Sequence, residues 1–319
     1  MTEKRRFIAI GAIAAGLLAG CGIEQDLAPH MRPLPKDAMM LLGKKGMTVQ
    51  SPILVRIFKE ESELEVWKAR DDGYYHHFKT YPICNWSGDL GPKLQQGDKQ
   101  APEGFYTISK WQMKPDSSFH LAFNLGYPNN YDRSHSRTGN ALMVHGKCVS
   151  AGCYAMTDAL IEEIYALARE HFAAGHENFP VHAFPFRMTD ANMARHEKHR
   201  WYGFWKTLKE GYDYFETNRQ VPPVTVCEKQ YHVNARPIVP VSTRIDPQGR
   251  CPRLEQPVAT PYVPAPGKEQ VAEVRVVAPG EKRRSVATAS NPTSPGTSDG
   301  GWLAGLTKVP VISSFVGKN

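Results

Sequence analysis

The chain has 319 residues, 41% apolar and 22% charged, which suits one sizeable packed domain or two modest ones. No apolar run is long enough to cross a bilayer as a helix, which excludes a polytopic membrane protein. The formal charge of +7 is spread along the chain without a dense Lys/Arg stripe and interleaved aromatics, so nucleic acid is not an expected partner.

The first twenty residues read as a targeting segment rather than as part of a fold. Lys4, Arg5 and Arg6 precede a twelve-residue stretch of apolar and small residues, 7–18, which ends in Leu18-Ala19-Gly20-Cys21. Small residues before a cysteine resemble a bacterial lipobox, which implies cleavage before Cys21 and acylation of its thiol. Each buried CH₂ of an acyl chain contributes about 0.8 kcal/mol, so several chains anchor stably. Gly22 stands where an Asp would follow the cysteine; the resemblance then implies sorting to the outer membrane. We expect a signal peptide over 1–20, a lipidated N-terminus and tether over 21–47, and a protein held by lipid on the periplasmic face of a Gram-negative membrane.

Strand signals begin at residue 52. Ile53, Val55 and Ile57 alternate, and Leu64, Val66 and Lys68 keep the same period of two. Asp71-Asp72-Gly73 marks a turn, and 74–84 is again aromatic and β-prone. Ser87-Gly88-Asp89-Leu90-Gly91-Pro92 and Gln96-Gly97-Asp98 mark a long loop. Residues 105–108, 119–123 and 141–144 are short strand candidates. The period then changes. Thr157 or Asp158 can cap a helix whose Leu160, Ile161, Ile164, Leu167, Ala168 and Phe172 fall at three- and four-residue steps, with Gly175 as a stop. Residues 181–186 read as a buried strand, and 190–208 as one or two further helices. Prolines crowd the chain from about 221, so 221–319 reads as a largely disordered extension with a small disulfide loop at 227–251. The fold class is mostly β with packed helices, α+β, with one catalytic domain over 48–220.

The cysteines are Cys21, Cys84, Cys148, Cys153, Cys227 and Cys251. Export places them in an oxidising compartment. With Cys21 lipidated, five remain, and an odd number leaves at least one thiol free. Cys153 is the candidate for it. The first pairing to consider is Cys84–Cys148 with Cys227–Cys251, although parity alone does not fix connectivity.

The informative stretch is Met143-Val144-His145-Gly146-Lys147-Cys148-Val149-Ser150-Ala151-Gly152-Cys153-Tyr154. An apolar strand delivers His145-Gly146, and a short loop then delivers Ser-x-Gly-Cys just before a capped helix. A cysteine nucleophile needs an imidazole to take its proton. A glycine before it allows a sharp turn that presents N–H groups to an oxyanion. A structural half-cystine at Cys153, paired with Cys148, fits this pattern less well. A zinc site from His135, His145, Cys148 and Cys153 lacks the usual ligand spacing, so no metal or other cofactor is expected.

This stretch resembles the catalytic signature of the L,D-transpeptidase (YkuD-type) family. Residues 84–93, 96–98, 101–106, 124–129 and 184–189 resemble its YafK-like branch, so the likeness runs over roughly 50–220. The resemblance implies an L,D-transpeptidase-like β-sandwich catalytic domain. It implies Cys153 as nucleophile, His145 as base held by a backbone carbonyl, Gly152 and Cys153 N–H groups as oxyanion hole, and Gly146 and Ser150 as loop supports. It implies peptidoglycan stem peptides bearing diaminopimelate as substrates, attacked to give a thioester that an amine or water then resolves. Tyr127, Arg133, His135 and Arg137 precede the active strand and are candidates for binding a stem-peptide carboxylate. Two departures stand out: Ala151 and Ala155 occupy places where the wider family often has His and Arg, and His145 lies only eight residues before Cys153. They make hydrolysis, which would release a peptide or a peptidoglycan-linked lipoprotein, the alternative to transfer. A wall-binding lipoprotein without catalysis is a third reading.

Overall fold

The computed structural model describes residues 27–240, 243–264 and 276. After a 3₁₀ turn at Pro29–Met31, the chain forms helix α1 (Lys36–Lys44). Strands β1 (Ile53–Phe58), β2 (Glu63–Ala69) and β3 (Tyr75–Pro82) then make an antiparallel meander. The two-residue strand β4 (Asn85–Trp86) leads into a long loop, which ends at β5 (Gly104–Ser109). Short elements follow: β6 (Met113–Lys114), β7 (Ala122–Asn124), α2 (Asn130–Ser134), β8 (Met143–His145) and β9 (Tyr154–Ala155). Helix α3 (Asp158–Ala173), strand β10 (Asn178–Phe184), and helices α4 (Asp190–Arg195) and α5 (Tyr202–Asn218) complete the central part.

Two five-stranded mixed sheets result, in the orders β3-β2-β1-β10-β5 and β4-β9-β8-β7-β6. In the first, β1 runs parallel to β10, with Val55 opposite Val181. All six residues of β1 are buried because both faces are covered. Val55 and Ile57 join Phe123, Val144 and Tyr154 of the second sheet and Ile161, Ile164 and Leu167 of α3 in one core. Phe58 and Phe184 face a second core made by Trp205, Leu208 and Tyr212 of α5. Each such side chain contributes about 2 kcal/mol on burial. Thr157 caps α3 by accepting from Leu160 N–H, as its sequence position suggests. The α+β class read from the sequence is the observed one.

Two boundaries differ from the sequence reading. Residues 27–47 are not a tether: Leu34, Ala38, Leu42 and Met47 are buried in the main core, and Arg169 of α3 donates to the carbonyls of His30 and Arg32. Nor does folded structure stop at 220. Strands β11 (Val224–Cys227) and β12 (Gln230–Val233) form a hairpin, and β13 (Arg236–Pro237) pairs with β14 (Leu254–Glu255). Tyr231 of this hairpin stacks on Tyr131 at 4.2 Å and accepts from Asn129 Nδ2 at 2.8 Å. The expected signal peptide, Cys21, and the proline-rich stretch beyond 264 except Val276, lie outside the described residues.

Candidate active site

Strands β8 and β9 place His145 and Cys153. They pair in parallel, with Val144 opposite Tyr154 and His145 opposite Ala155. Side chains alternate along a strand. Val144 and Tyr154 point into the main core, so His145 and Ala155 share the other face, and Cys153 immediately precedes β9. Cys153 therefore enters the sheet beside the strand that carries His145.

Parallel neighbours normally need a crossover of a dozen residues or more. Here residues 146–153 make the return. Lys147 and Cys148 adopt left-handed φ values of 61° and 55°, and Gly152 sits at φ 114°, a conformation open only to glycine at low cost. Gly146 leaves no room for a side chain, since a Cβ there would lie 2.5 Å from Asp158 Oδ1. The structure joins Cys84 to Cys148, which ties this loop to the chain just before β4, and joins Cys227 to Cys251. Cys153 is the free cysteine among the described residues and is half-buried.

His145 is 3% exposed and its Nδ1 lies 2.6 Å from the Gly146 carbonyl. A carbonyl only accepts, so Nδ1 carries the proton and Nε2 is the free lone pair of the neutral ring. Phe119 covers the ring at 4.8 Å between centroids. Burial lowers the pKa of His145, partly opposed by its bond to Gly146. Burial raises that of the Cys153 thiol, opposed in smaller measure by the Met143 backbone and by Lys93. Both shifts favour the uncharged forms, and the thiol's hydrogen bond runs to the Ala141 carbonyl at 3.6 Å. A thiol in this state would need its proton removed at the moment of any attack.

The expected oxyanion hole is not open. Gly152 N–H donates to Ser87 Oγ at 2.6 Å and Cys153 N–H to Ser150 Oγ at 3.1 Å. Ser150 Oγ in turn donates to the Cys153 carbonyl at 2.7 Å, which closes a tight turn around the cysteine. Both amides are engaged because the loop folds back on these two hydroxyls.

Ser87 was not marked by the sequence; nor was the device that holds its loop. Lys59 Nζ, fully buried, lies 2.8–3.1 Å from the carbonyls of Asp89, Gly91 and Ala101 and from Glu103 Oε1, and shares its three N–H donors among them. Glu103 also accepts from Gly91 N–H and Trp205 Nε1.

The four expected carboxylate binders divide. Arg137 is buried, paired with Asp132 at 2.8 Å and flanked by the Tyr131 and Phe204 rings, so it neutralises an interior carboxylate and does not face substrate. Tyr127 is 5% exposed and donates to the Lys93 carbonyl. Arg133 and His135 reach the surface, where Arg133 donates to the Pro128 carbonyl and Asn130, and His135 Nδ1 meets the Tyr131 carbonyl.

The fold agrees with the comparisons. The model of the L,D-transpeptidase catalytic domain (YkuD) matches residues 56–182. YafK of Escherichia coli K12, whose name assigns it provisionally to the L,D-transpeptidases, is 46% identical over 190 residues, 60% of this chain and 77% of YafK. The chain belongs to the L,D-transpeptidase family. Among solved structures, the helical cell shape determining protein Pgp2 of Campylobacter jejuni overlaps 59% of this chain at TM-score 0.35 and 18% identity, and this chain spans 65% of that protein. Bd1075 of Bdellovibrio bacteriovorus overlaps 53% of this chain and 59% of its own, at TM-score 0.30 and 20% identity. At such overlap neither likeness carries an argument.

Proposed function

We propose that this chain is a cysteine L,D-transpeptidase that acts on diaminopimelate-containing stem peptides of peptidoglycan through a thioester at Cys153. The observation that carries the reading is the free thiol of Cys153 just before β9, the strand that pairs with His145, whose Nδ1 is fixed by Gly146 and whose Nε2 is left as a base. On attack, Nε2 takes the thiol proton while Sγ bonds to the carbonyl carbon preceding a bond between an L- and a D-centre. Collapse of the adduct expels the amine, which receives that proton from His145, and leaves the acyl-thioester. An acceptor amine then gives a crosslink or attaches a lipoprotein; water gives hydrolysis.

One observation favours water as the acceptor. Ala155, directly opposite His145, puts a methyl group where the wider family often has an arginine, so that position supplies no cation for an acceptor carboxylate. Incubation with purified muropeptides followed by mass spectrometry separates the outcomes: crosslinked dimers mean transfer, and shortened or released peptides without dimers mean hydrolysis. Sacculus binding that survives Cys153→Ala, with no turnover by the wild type, would instead support a wall-binding protein. Lipidation at Cys21 and a place on the periplasmic side of the outer membrane complete the proposal. Labelling with a fatty-acid analogue, lost in Cys21→Ala, tests them.

A further inference from the structure

Ser87 lies just after β4, on the loop that ends at Glu103. Its Oγ accepts from Gly152 N–H at 2.6 Å and donates to the Lys99 carbonyl at 2.7 Å. A hydroxyl has one proton and two acceptor lone pairs. Ser150 has its own proton engaged with the Cys153 carbonyl at 2.7 Å. The 3.3 Å separation of the two serine oxygens is then a close approach, with neither proton to spare for a strong bond. So the Ser87 oxygen is held by an amide on one side, while its proton can turn about the Cβ–Oγ bond with no heavy atom moving. The incoming Gly152 N–H polarises that O–H and strengthens it as a donor.

The placement is built in. Ala101 N–H donates to the Ser87 carbonyl at 3.0 Å. A Cβ at Gly152 would lie 3.2 Å from Leu142 Cδ1 and reach ordinary contact, 3.6 Å, with the Gln100 carbonyl oxygen of the same loop. Lys59 fastens the same loop from beneath.

Resting on the reading of Cys153 as nucleophile, we propose that Ser87 is a catalytic residue whose hydroxyl donates to the oxyanion formed when Cys153 attacks an acyl group. The Sγ–C bond forms, the carbonyl π pair moves onto oxygen, and Ser87 O–H turns from the Lys99 carbonyl to that oxygen. Ser87 keeps its proton throughout. Collapse restores the carbonyl and expels the amine nitrogen, which takes the proton that His145 drew from the thiol. The Gly152 amide, expected to meet the oxyanion itself, acts through Ser87.

Two reagents separate this role from simple loop support. A carbapenem acylates a thiol through an oxyanion; iodoacetamide alkylates it by displacing iodide, with no oxyanion. Both rates at Cys153 are read by intact mass on the full chain. Ser87→Ala should slow acylation by about 10²-fold, the usual cost of an oxyanion donor, while alkylation stays within about twofold of wild type. Ser87→Thr, which keeps the hydroxyl, should retain most of the acylation rate. Ser87→Ala acylating at the wild-type rate, or losing both reactions in equal proportion, overturns the assignment. A wild-type chain that alkylates but is never acylated overturns the parent reading and this one together.

Discussion

Removal of the Cys84–Cys148 bridge has a consequence that can be worked from the fold. The bridge closes a loop of 64 residues. The chain-entropy account gives such a closure about 4 kcal/mol at 25 °C. For a domain of this size each kcal/mol moves the melting temperature by about 2–4 °C, so Cys84→Ala with Cys148→Ala should melt about 8–16 °C below wild type. The double variant avoids leaving a lone thiol that could exchange with Cys153. The Cys227–Cys251 bridge closes 24 residues, and the same relation gives its removal about 3 kcal/mol. Thermal melts followed by circular dichroism, with and without a dithiol reductant, measure both. The reductant should lower wild type to near a variant lacking all four bridged cysteines, below either double variant, and leave that variant unmoved. A Cys84/Cys148 double variant melting within about 2 °C of wild type would refute the entropic argument.

Other consequences follow from individual groups. Lys59→Met removes the cation paired with the buried Glu103 carboxylate, which keeps only neutral N–H donors from Gly91 and Trp205, so urea unfolding should show a loss of about 3–5 kcal/mol. Arg137→Ala strands the buried Asp132 carboxylate and should cost a similar amount, about 3–5 kcal/mol, whereas Arg133→Ala on the surface should stay within about 0.5 kcal/mol. Because burial raises the thiol pKa, alkylation of Cys153 should keep increasing as pH rises beyond the ordinary thiol value of 9.0. A rate that is already level at neutral pH would mean a standing thiolate. Because burial lowers the pKa of His145, its basic form persists further into acid, and acylation should decline only below the ordinary imidazole value of 6.5.

What the sequence disclosed follows from how local each signal is. Helix α3 was legible because a Thr157 cap and a run of apolar residues at helical spacing occur together. His145 and Cys153 stood out as candidates because a strand, a glycine turn and a cysteine lie within one short stretch. Helix α1 was missed: it buries only Ala38 and Leu42 and exposes Met39 and Met40, so no periodic stripe emerges. The β11–β12 hairpin was hidden by the prolines on either side, though Val224 and Val226 alternate within it. Arg137 and Tyr127 were misjudged because residue type does not reveal burial; the Asp132 partner of Arg137 lies in the interior. Ser87 could not be read at all, since its role arises from a contact with Gly152, 65 residues away.

Intact-mass analysis of the chain after exposure to a carbapenem tests the central claim most directly. The account predicts a single acyl adduct, mapped by peptide analysis to Cys153 and absent from both Cys153→Ala and His145→Ala at neutral pH. An unmodified wild-type chain, or an adduct that persists in Cys153→Ala, would contradict it.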